Sequence, residues 1–425
     1  MTFSVTTMGC KVNSCESAAI IDGMLSAGYE QATDENNADI YIINSCAVTG
    51  MSVKKARQAL SRCKANNADC ITVLCGCFPQ AYAEDAALTE SDIIIGNGSK
   101  ADIPFLVGEY LKNPVRRMFV NPLSREFDER ASGTDLDRTR AFIKIEDGCD
   151  RFCTYCIIPT ARGRVRSRPL SEITRQAMLA AESGHREIVL TGINLSCYGQ
   201  DLGLTLSDAV KAADVDGIDR IRLGSLEPDM MTDSEIEKLK SCKKLCPHFH
   251  LSLQSGSDRI LALMRRRYDT ALYKEVVQKL RTAFPDCSIT TDIMVGFVGE
   301  TEEDFLQSMS FAEEIGFAKI HVFPYSIRKG TIAAMRSEQV VPHVKTDRAK
   351  RMTALSKQLE ERFLASQIGT EHTVLIERPK SDEYSSGFTD SYIPIRIYNT
   401  SLSRHSLVRV RVTDSFADHC TAVLI

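Results

Sequence analysis

No stretch of this 425-residue chain approaches the ~20 consecutive apolar residues that a membrane span needs. The segment Met1–Cys10 lacks the basic region and apolar core of an export signal, which predicts a cytoplasmic protein with no membrane partner. Positive charge is not in surplus: 52 Lys and Arg stand against 56 Asp and Glu, for a net charge of −4. That excludes a basic nucleic-acid coat and leaves any polyanion site as a local patch. There is no 20–50-residue repeat and no low-complexity tract. With 43% hydrophobic and 25% charged residues, a fibre or a wholly disordered chain is excluded as well. The length suggests about three domains.

What the chain has is cysteine: fifteen, an odd number. In a reducing compartment disulfides rarely persist, so a clustered subset points to metal ligation or redox chemistry. The rest serve as small buried apolar residues.

The hydrophobic pattern predicts three units. Residues 1–123 alternate strand-like runs (Phe3–Thr7, Ile40–Ser45, Ile71–Leu74, Ile93–Gly96) with helical stretches (Ser17–Ser26, Val53–Ala65, Gln80–Ala86), as in an open parallel α/β domain. Ser124–Arg138 reads as a linker. Residues 139–362 hold six strand candidates: Ala141–Ile145, Glu187–Gly192, Arg220–Gly224, His248–Leu253, Ser288–Val295 and Lys319–Phe323. Long helical segments separate them, which predicts a partial (β/α)6 barrel. A long cationic helix follows over Pro342–Ser366. Residues 366–425 carry short β runs (Thr373–Ile376, Ile393–Tyr398, Leu407–Val412, Thr421–Leu424), as in a small all-β barrel.

The strongest chemical signal is Cys149-Asp-Arg-Phe-Cys153-Thr-Tyr-Cys156, directly after the first barrel strand. Three thiolates at this spacing can each hold one iron of a cubane and leave the fourth open to a small molecule. Zinc normally takes four closed ligands, and no fourth Cys or His lies near in sequence. His248 and His250, on one face of a strand, remain the zinc alternative. A second set is scattered: Cys10, Cys46 and Cys77 each fall just past a parallel strand, the edge where ligands bind in open α/β sheets. Cys75 and Cys15 compete for that set. Cys77 is favoured because Gly76 eases the strand-end turn.

The triplet, with Tyr155 as the aromatic just before its third cysteine, resembles the radical S-adenosylmethionine (SAM) enzymes. Gly9-Cys10-Lys11-Val12-Asn13, Asn44-Ser45-Cys46-Ala47-Val48 and Gly76-Cys77 resemble the methylthiotransferase subfamily. Further matches are Ile145–Cys149, Thr191-Gly-Ile-Asn194, Ser225-Leu-Glu-Pro228, Leu253–Ser257 and Asp292–Phe297. Val298 departs from the proline usual there. The last unit resembles the TRAM domain, an RNA-binding barrel. Gly-Cys-Lys-Val-Asn resembles the branch acting on N6-threonylcarbamoyladenosine at position 37 of tRNA; the isopentenyladenosine branch more often has Gln-Met-Asn there, and the ribosomal-protein branch Pro-Lys-Asn.

The resemblance implies two 4Fe–4S clusters, a radical-generating one on Cys149, Cys153 and Cys156 and an auxiliary, sulfur-carrying one on Cys10, Cys46 and Cys77. It also implies SAM, tRNA, an electron donor of flavodoxin or ferredoxin type and a sulfur source. Candidate SAM contacts are Tyr155, Glu227, Gln254 and Asp292, near the carboxyl ends of barrel strands, with Asn194 weaker. Candidate phosphate contacts are Arg164, Arg166 and Arg168, after Arg162, together with Arg266 and Arg267 beside Tyr268. In the last unit charges nearly balance, so an RNA role rests on Arg404, Arg409 and Arg411. The competing readings are the same chemistry on a ribosomal protein, a non-catalytic iron–sulfur RNA-binding protein, and a zinc-binding RNA module.

Overall fold

The computed structural model describes residues 1–34, 37–128, 138–378, 383–398 and 400–425; residues 129–137, most of the expected linker, lie outside these.

The first unit is one parallel sheet of β1 (Thr2–Thr7), β2 (Glu30–Gln31), β3 (Ile40–Ser45), β4 (Ile71–Gly76), β5 (Ile93–Ile95) and β6 (Arg117–Phe119). Its order is β2-β1-β3-β4-β5-β6. β3 and β4 are buried throughout, because helices cover both faces of the sheet. Ile42, Val73 and Ile95 pack on one face with Leu106 and Val107, while Ile43, Leu74 and Ile94 pack on the other with Ala56 and Leu60. All strands are parallel, but β2 is added on one side of β1 and β3 on the other, so the carboxyl ends of β1 and β3 frame a crevice. The helical stretch expected over Gln80–Ala86 is two short helices, Cys77–Ala81 and Ala83–Ala87, interrupted where Tyr82 takes φ −137°.

The central unit contains β7 (Ala141–Lys144), a short antiparallel ladder of β8 (Glu146–Asp147) with β9 (Arg166–Ser167), then β10 (Glu187–Thr191), β11 (Arg220–Leu223), β12 (Ser225–Leu226), β13 (His248–Leu251), β14 (Ser288–Val295) and β15 (Lys319–Pro324). β11 pairs with β10, and after Gly224 the same segment pairs with β13 as β12. The result is a parallel arc in the order β7-β10-β11/β12-β13-β14-β15. Among the described residues no ladder joins β15 to β7, so the barrel is partial, as expected. The helix Pro342–Ala365 covers the β15 edge: Ser356 Oγ accepts from the Ile320 N–H at 3.2 Å and donates to its carbonyl at 3.0 Å. Val298 is fully buried in an apolar cluster with Phe297 and Tyr325. No described helix is long and apolar enough to cross a membrane.

The last unit is a closed barrel of β16 (Glu371–Arg378), β17 (Tyr384–Thr389), β18 (Pro394–Tyr398), β19 (Leu407–Ser415) and β20 (Cys420–Leu424), in the order β16-β17-β18-β20-β19. The sequence pattern misses β17 because its inward residues are Ser385, Gly387 and Thr389 rather than large apolar ones. Interior space is short there: a Cβ on Gly387 would lie 2.0 Å from the Leu375 carbonyl oxygen. The loop after β17 plugs the amino-terminal end of the partial barrel. Arg222 Nη1 donates to the Asp390 carbonyl at 2.8 Å, and the Tyr392 ring stacks on His248 with centroids 4.9 Å apart.

Candidate functional site

The central triplet sits on an irregular loop pinned at several points. Gly148 has φ +88°, and a Cβ there would lie 1.9 Å from the Arg164 carbonyl oxygen, so only glycine lets the loop leave the β8–β9 ladder. Cys149 N–H donates to Gly163 O, Cys156 N–H to Cys153 O and Thr154 N–H to Met264 O, at 3.0, 3.0 and 3.1 Å. Two donors reach the sulfurs: Arg266 Nη1 is 3.4 Å from Cys153 Sγ, and Asn194 Nδ2 is 3.6 Å from Cys149 Sγ. Burial pushes the Cys149 thiol up to about 11 and Cys156 to about 12, with neighbouring thiols adding to the rise. Burial thus favours the protonated thiols, so binding of a metal there would release protons.

The second set gathers at the carboxyl edge of the first sheet. Cys10 is the N-cap of the helix Lys11–Ser26, Cys46 follows β3 directly, and Cys77 opens the helix after β4. Gly76, at φ +101°, brings the β4 end so close to β3 that a Cβ would lie 2.6 Å from the Ser45 carbonyl oxygen. The asparagines of the motifs brace the turns. Asn13 Nδ2 donates to Met8 O and Ser45 O at 2.7 and 3.1 Å, and Asn44 Nδ2 donates to Asn13 O at 3.0 Å. The thiols feel one another: burial pushes Cys46 up to about 11, and Cys77 and Cys10 add to it. Cys75 and Cys15 are instead fully buried apolar residues, Cys75 among Ile42 and Val73, and Cys15 against Phe142 and Val189.

A buried ionic cluster joins the two units. Glu16 pairs with Arg162, with Lys100 and, at 2.8 Å, with Lys144; Lys144 also meets Asp147 at 2.8 Å, and Arg166 meets Asp147 at 3.1 Å. Arg162 comes from the helix that follows the central triplet, Ile158–Arg162, yet its Nε lies 3.2 Å from Cys77 Sγ and its Nη2 is 2.5 Å from Asn13 Oδ1. Asn97 Nδ2 adds a second donor, 3.5 Å from the same sulfur. Burial opposes ionisation of Asp147, but Lys144, Arg162 and Arg166 prevail and hold it at about 2. Four cations thus face two carboxylates beside Cys77, a surplus that suits a thiolate-bound, anionic group. The residues present therefore fit a second thiolate-held cluster. Removing the guanidinium from this buried cluster in Arg162→Ala is expected to cost about 3 kcal/mol, the low end for a broken buried pair because Lys100 and Lys144 still face Glu16. Urea unfolding measures this, and an unchanged midpoint would contradict it.

Between the two units lies a cavity of about 290 Å³ whose walls include Val48, Thr49, Tyr155, Cys156, Gln254 and Asp292. Val48 and Thr49 follow Cys46 by two and three residues, so the cavity joins the surroundings of both cysteine sets. Three of the four candidate cofactor contacts, Tyr155, Gln254 and Asp292, are brought together there. Gln254 takes φ +68°, and Asp292 Oδ2 lies 3.3 Å from His250 Nε2. Glu227 does not line the cavity; it accepts from Arg266 Nη2 at 2.5 Å. Asn194, weaker in sequence, is the one found beside a cysteine sulfur.

The basic runs divide. Arg166, Arg168 and Arg266 are corrected as phosphate contacts: their side chains fold inward to Asp147, to the Phe127 ring and to Glu227, with Arg168 only 1% exposed. Tyr268 is buried too, with its hydroxyl on Leu253 O at 2.9 Å. An alternating basic pattern gives charge but not direction, and here the interior carboxylates set the direction. Arg164 and Arg267 remain exposed. Arg164 lies over the exposed Phe152 ring at 4.8 Å, which places a cation and an aromatic face next to the triplet. Among the described residues no three His, Cys, Asp or Glu side chains close on a single metal ion. His248 and His250 share Thr290 Oγ1 at 3.1 and 3.0 Å, which accounts for them without zinc.

The profile of the Radical SAM superfamily matches residues 143–312, and that of the uncharacterized protein family UPF0004 matches residues 2–96. The chain is 37% identical over 422 residues to the threonylcarbamoyladenosine tRNA methylthiotransferase MtaB of Bacillus subtilis, covering 97% of this chain and 93% of that protein. The Thermotoga maritima protein of the same name is 36% identical, with 96% and 94% covered. The tRNA-2-methylthio-N(6)-dimethylallyladenosine synthase of Clostridium tetani is 35% identical, with 98% and 94% covered. Among solved structures, the radical SAM methyltransferase TsrM of Kitasatospora setae superposes with a TM-score of 0.58 at 12% identity, over 79% of this chain and 77% of that one, a likeness of fold.

Proposed function

The chain belongs to the radical SAM methylthiotransferases, and from that membership we infer that it adds a methylthio group to C2 of N6-threonylcarbamoyladenosine at position 37 of tRNA. The family brings one 4Fe–4S cluster and SAM. The second cluster, the electron donor of flavodoxin or ferredoxin type, the sulfur source, the cytoplasmic setting and the division into residues 1–123, 139–362 and 366–425 are part of the proposal. The observation that carries it is the cavity walled by Cys156 from one triplet and by the residues just past Cys46 from the other.

An aromatic C–H at C2 has no acidic proton for a side-chain base, so the hard step belongs to a cofactor. When bound, the central cluster and SAM supply a carbon radical, and the second cluster supplies sulfur. The residues do the rest. Cys149, Cys153 and Cys156 hold the first group, and Cys10, Cys46 and Cys77 hold the second. Arg266 and Asn194 aim donors at the first set of sulfurs; Arg162 and Asn97 aim donors at the second. Such donors stabilise electron-rich sulfur and tune its potential. Tyr155, Gln254 and Asp292 line the SAM space, while Ile157, Ile158, Met294 and Tyr325 supply apolar wall that excludes water.

Reduced, reconstituted enzyme incubated with tRNA carrying threonylcarbamoyladenosine should yield its 2-methylthio derivative on nucleoside mass spectrometry. The likeness to the Clostridium tetani protein supports dimethylallyladenosine as the second reading. A methylthio product found only on that nucleoside, or only on a ribosomal protein, would overturn the first. The tRNA body is held by Arg164 and Arg267 in this reading. Each alanine variant is expected to weaken binding of any tRNA alike and to flatten the salt dependence by about one phosphate contact. Filter binding across a salt series checks this, and unchanged slopes would remove both residues from the interface.

A further inference from the structure

We propose that Phe323, together with Val48, forms a stacking clamp for the target adenine at the mouth of the cavity between the first two units. This rests on the functional reading above and deepens it, by naming the surface that receives the base once it leaves the stack of the anticodon loop.

The cavity lies where the reaction needs the base. The carbon to be modified must come within reach of both cysteine sets, and the cavity wall includes Cys156 and the residues just past Cys46. Phe323 stands near the end of the inward face of β15. Two residues earlier, the His321 ring faces His250 with centroids 5.7 Å apart. Strand alternation puts Phe323 on the same face, one step closer to the cavity, whose wall it joins. Its neighbour in that wall, Tyr325, is buried against the Phe297 ring, but Phe323 is 49% exposed. The wall from the first unit matches it: Val48 lines the same cavity and is 51% exposed.

The two walls are tied together. Gly50 N–H donates to Ser326 Oγ at 3.2 Å, and Arg328 Nη1 donates to Ala47 O at 3.4 Å. A Cβ on Gly50 would lie 2.8 Å from Arg328 Nη2, so the approach is close. An aromatic face from one unit and a branched aliphatic side chain from the other therefore stand open at a mouth whose spacing is set.

The charge around them fits RNA. Residues 46–66 hold five Lys and Arg and residues 319–337 hold four, and neither segment has an Asp or Glu, in a chain of net charge −4. An apolar rim framed by cations suits a flat base with phosphates on either side: the ring stacks and the cations follow the backbone. Chemistry on a base also requires that it be taken out of its stack, which leaves both of its faces to be covered by the protein.

The test uses an anticodon stem-loop RNA with either adenosine or an abasic residue at position 37, bound to reconstituted enzyme and measured by fluorescence anisotropy. Wild-type enzyme should favour the adenosine RNA by about tenfold, the size of one base–aromatic stack. Phe323→Ala should bind both RNAs alike, Phe323→Tyr should keep the preference, and Val48→Ala should reduce it to about threefold. Iron content and SAM affinity at wild-type levels in Phe323→Ala would show that the cages and the cofactor space are intact. A Phe323→Ala enzyme that keeps the full preference overturns the proposal, as does a wild-type enzyme that has none. A variant whose sole defect is weaker SAM binding would put the ring on the cofactor and overturn it as well. Nucleoside mass spectrometry of wild-type turnover reads the functional assignment separately. Methylthiolated product without a base preference would remove the clamp alone. A Phe323-dependent preference without product would leave an adenine-binding mouth and remove the assignment.

Discussion

Cys46→Ala enzyme is expected to cleave SAM at close to the wild-type rate and to make no methylthiolated nucleoside. The two cysteine sets sit on different units: Cys46 directly follows β3 of the first sheet, and Cys149, Cys153 and Cys156 lie on the loop after β8. Its neighbours are Gly9, Cys10 and Cys77. Removing one of three thiols should empty the second cage and leave the first intact. Product should fall to background, while 5′-deoxyadenosine still forms on reduction with dithionite. Methylthiolated product from this variant would show that sulfur is not delivered from the Cys10, Cys46 and Cys77 set.

Cys153→Ala should abolish both outputs. The loop between Cys149 and Cys156 holds three thiols, and Arg266 is aimed at the middle one. With two thiols left, the guanidinium has no thiolate to face, and the loop holds one ligand too few for a cubane with a single open iron. Because no side chain can perform the homolysis, 5′-deoxyadenosine formation should drop by roughly a thousandfold or more, below detection. Anaerobic turnover followed by chromatography reads it directly. Retained cleavage would mean that the open iron is held elsewhere.

The sequence pattern located what periodicity encodes. Runs such as IYIINS and ITVLCG are uniformly apolar or small because helices cover both sheet faces, and they stand out at once. The cysteines stood out for a similar reason, since strand ends can be counted along the chain and parallel strands bring those ends to one edge. β2 and β6, of two and three residues, are too short to show alternation. β17 was hidden because a tight barrel wants small inward residues, and Ser, Gly and Thr read as a turn. The arginines were the largest misreading. Arg162, Arg166, Arg168 and Arg266 look like an RNA-facing surface along the chain, yet carboxylates distant in sequence (Glu16 and Glu227 above all) draw most of them inside. Nothing local to Arg162 announces Glu16, which lies 146 residues earlier.

The most direct test is iron and sulfide content, with electron paramagnetic resonance, of a Cys149→Ala/Cys153→Ala/Cys156→Ala triple variant reconstituted without oxygen. A second cage on Cys10, Cys46 and Cys77 predicts about four irons and four sulfides per chain and a reduced-cubane signal, half the wild-type content. A triple variant that binds no iron, beside a wild-type protein with a single cubane, would contradict it.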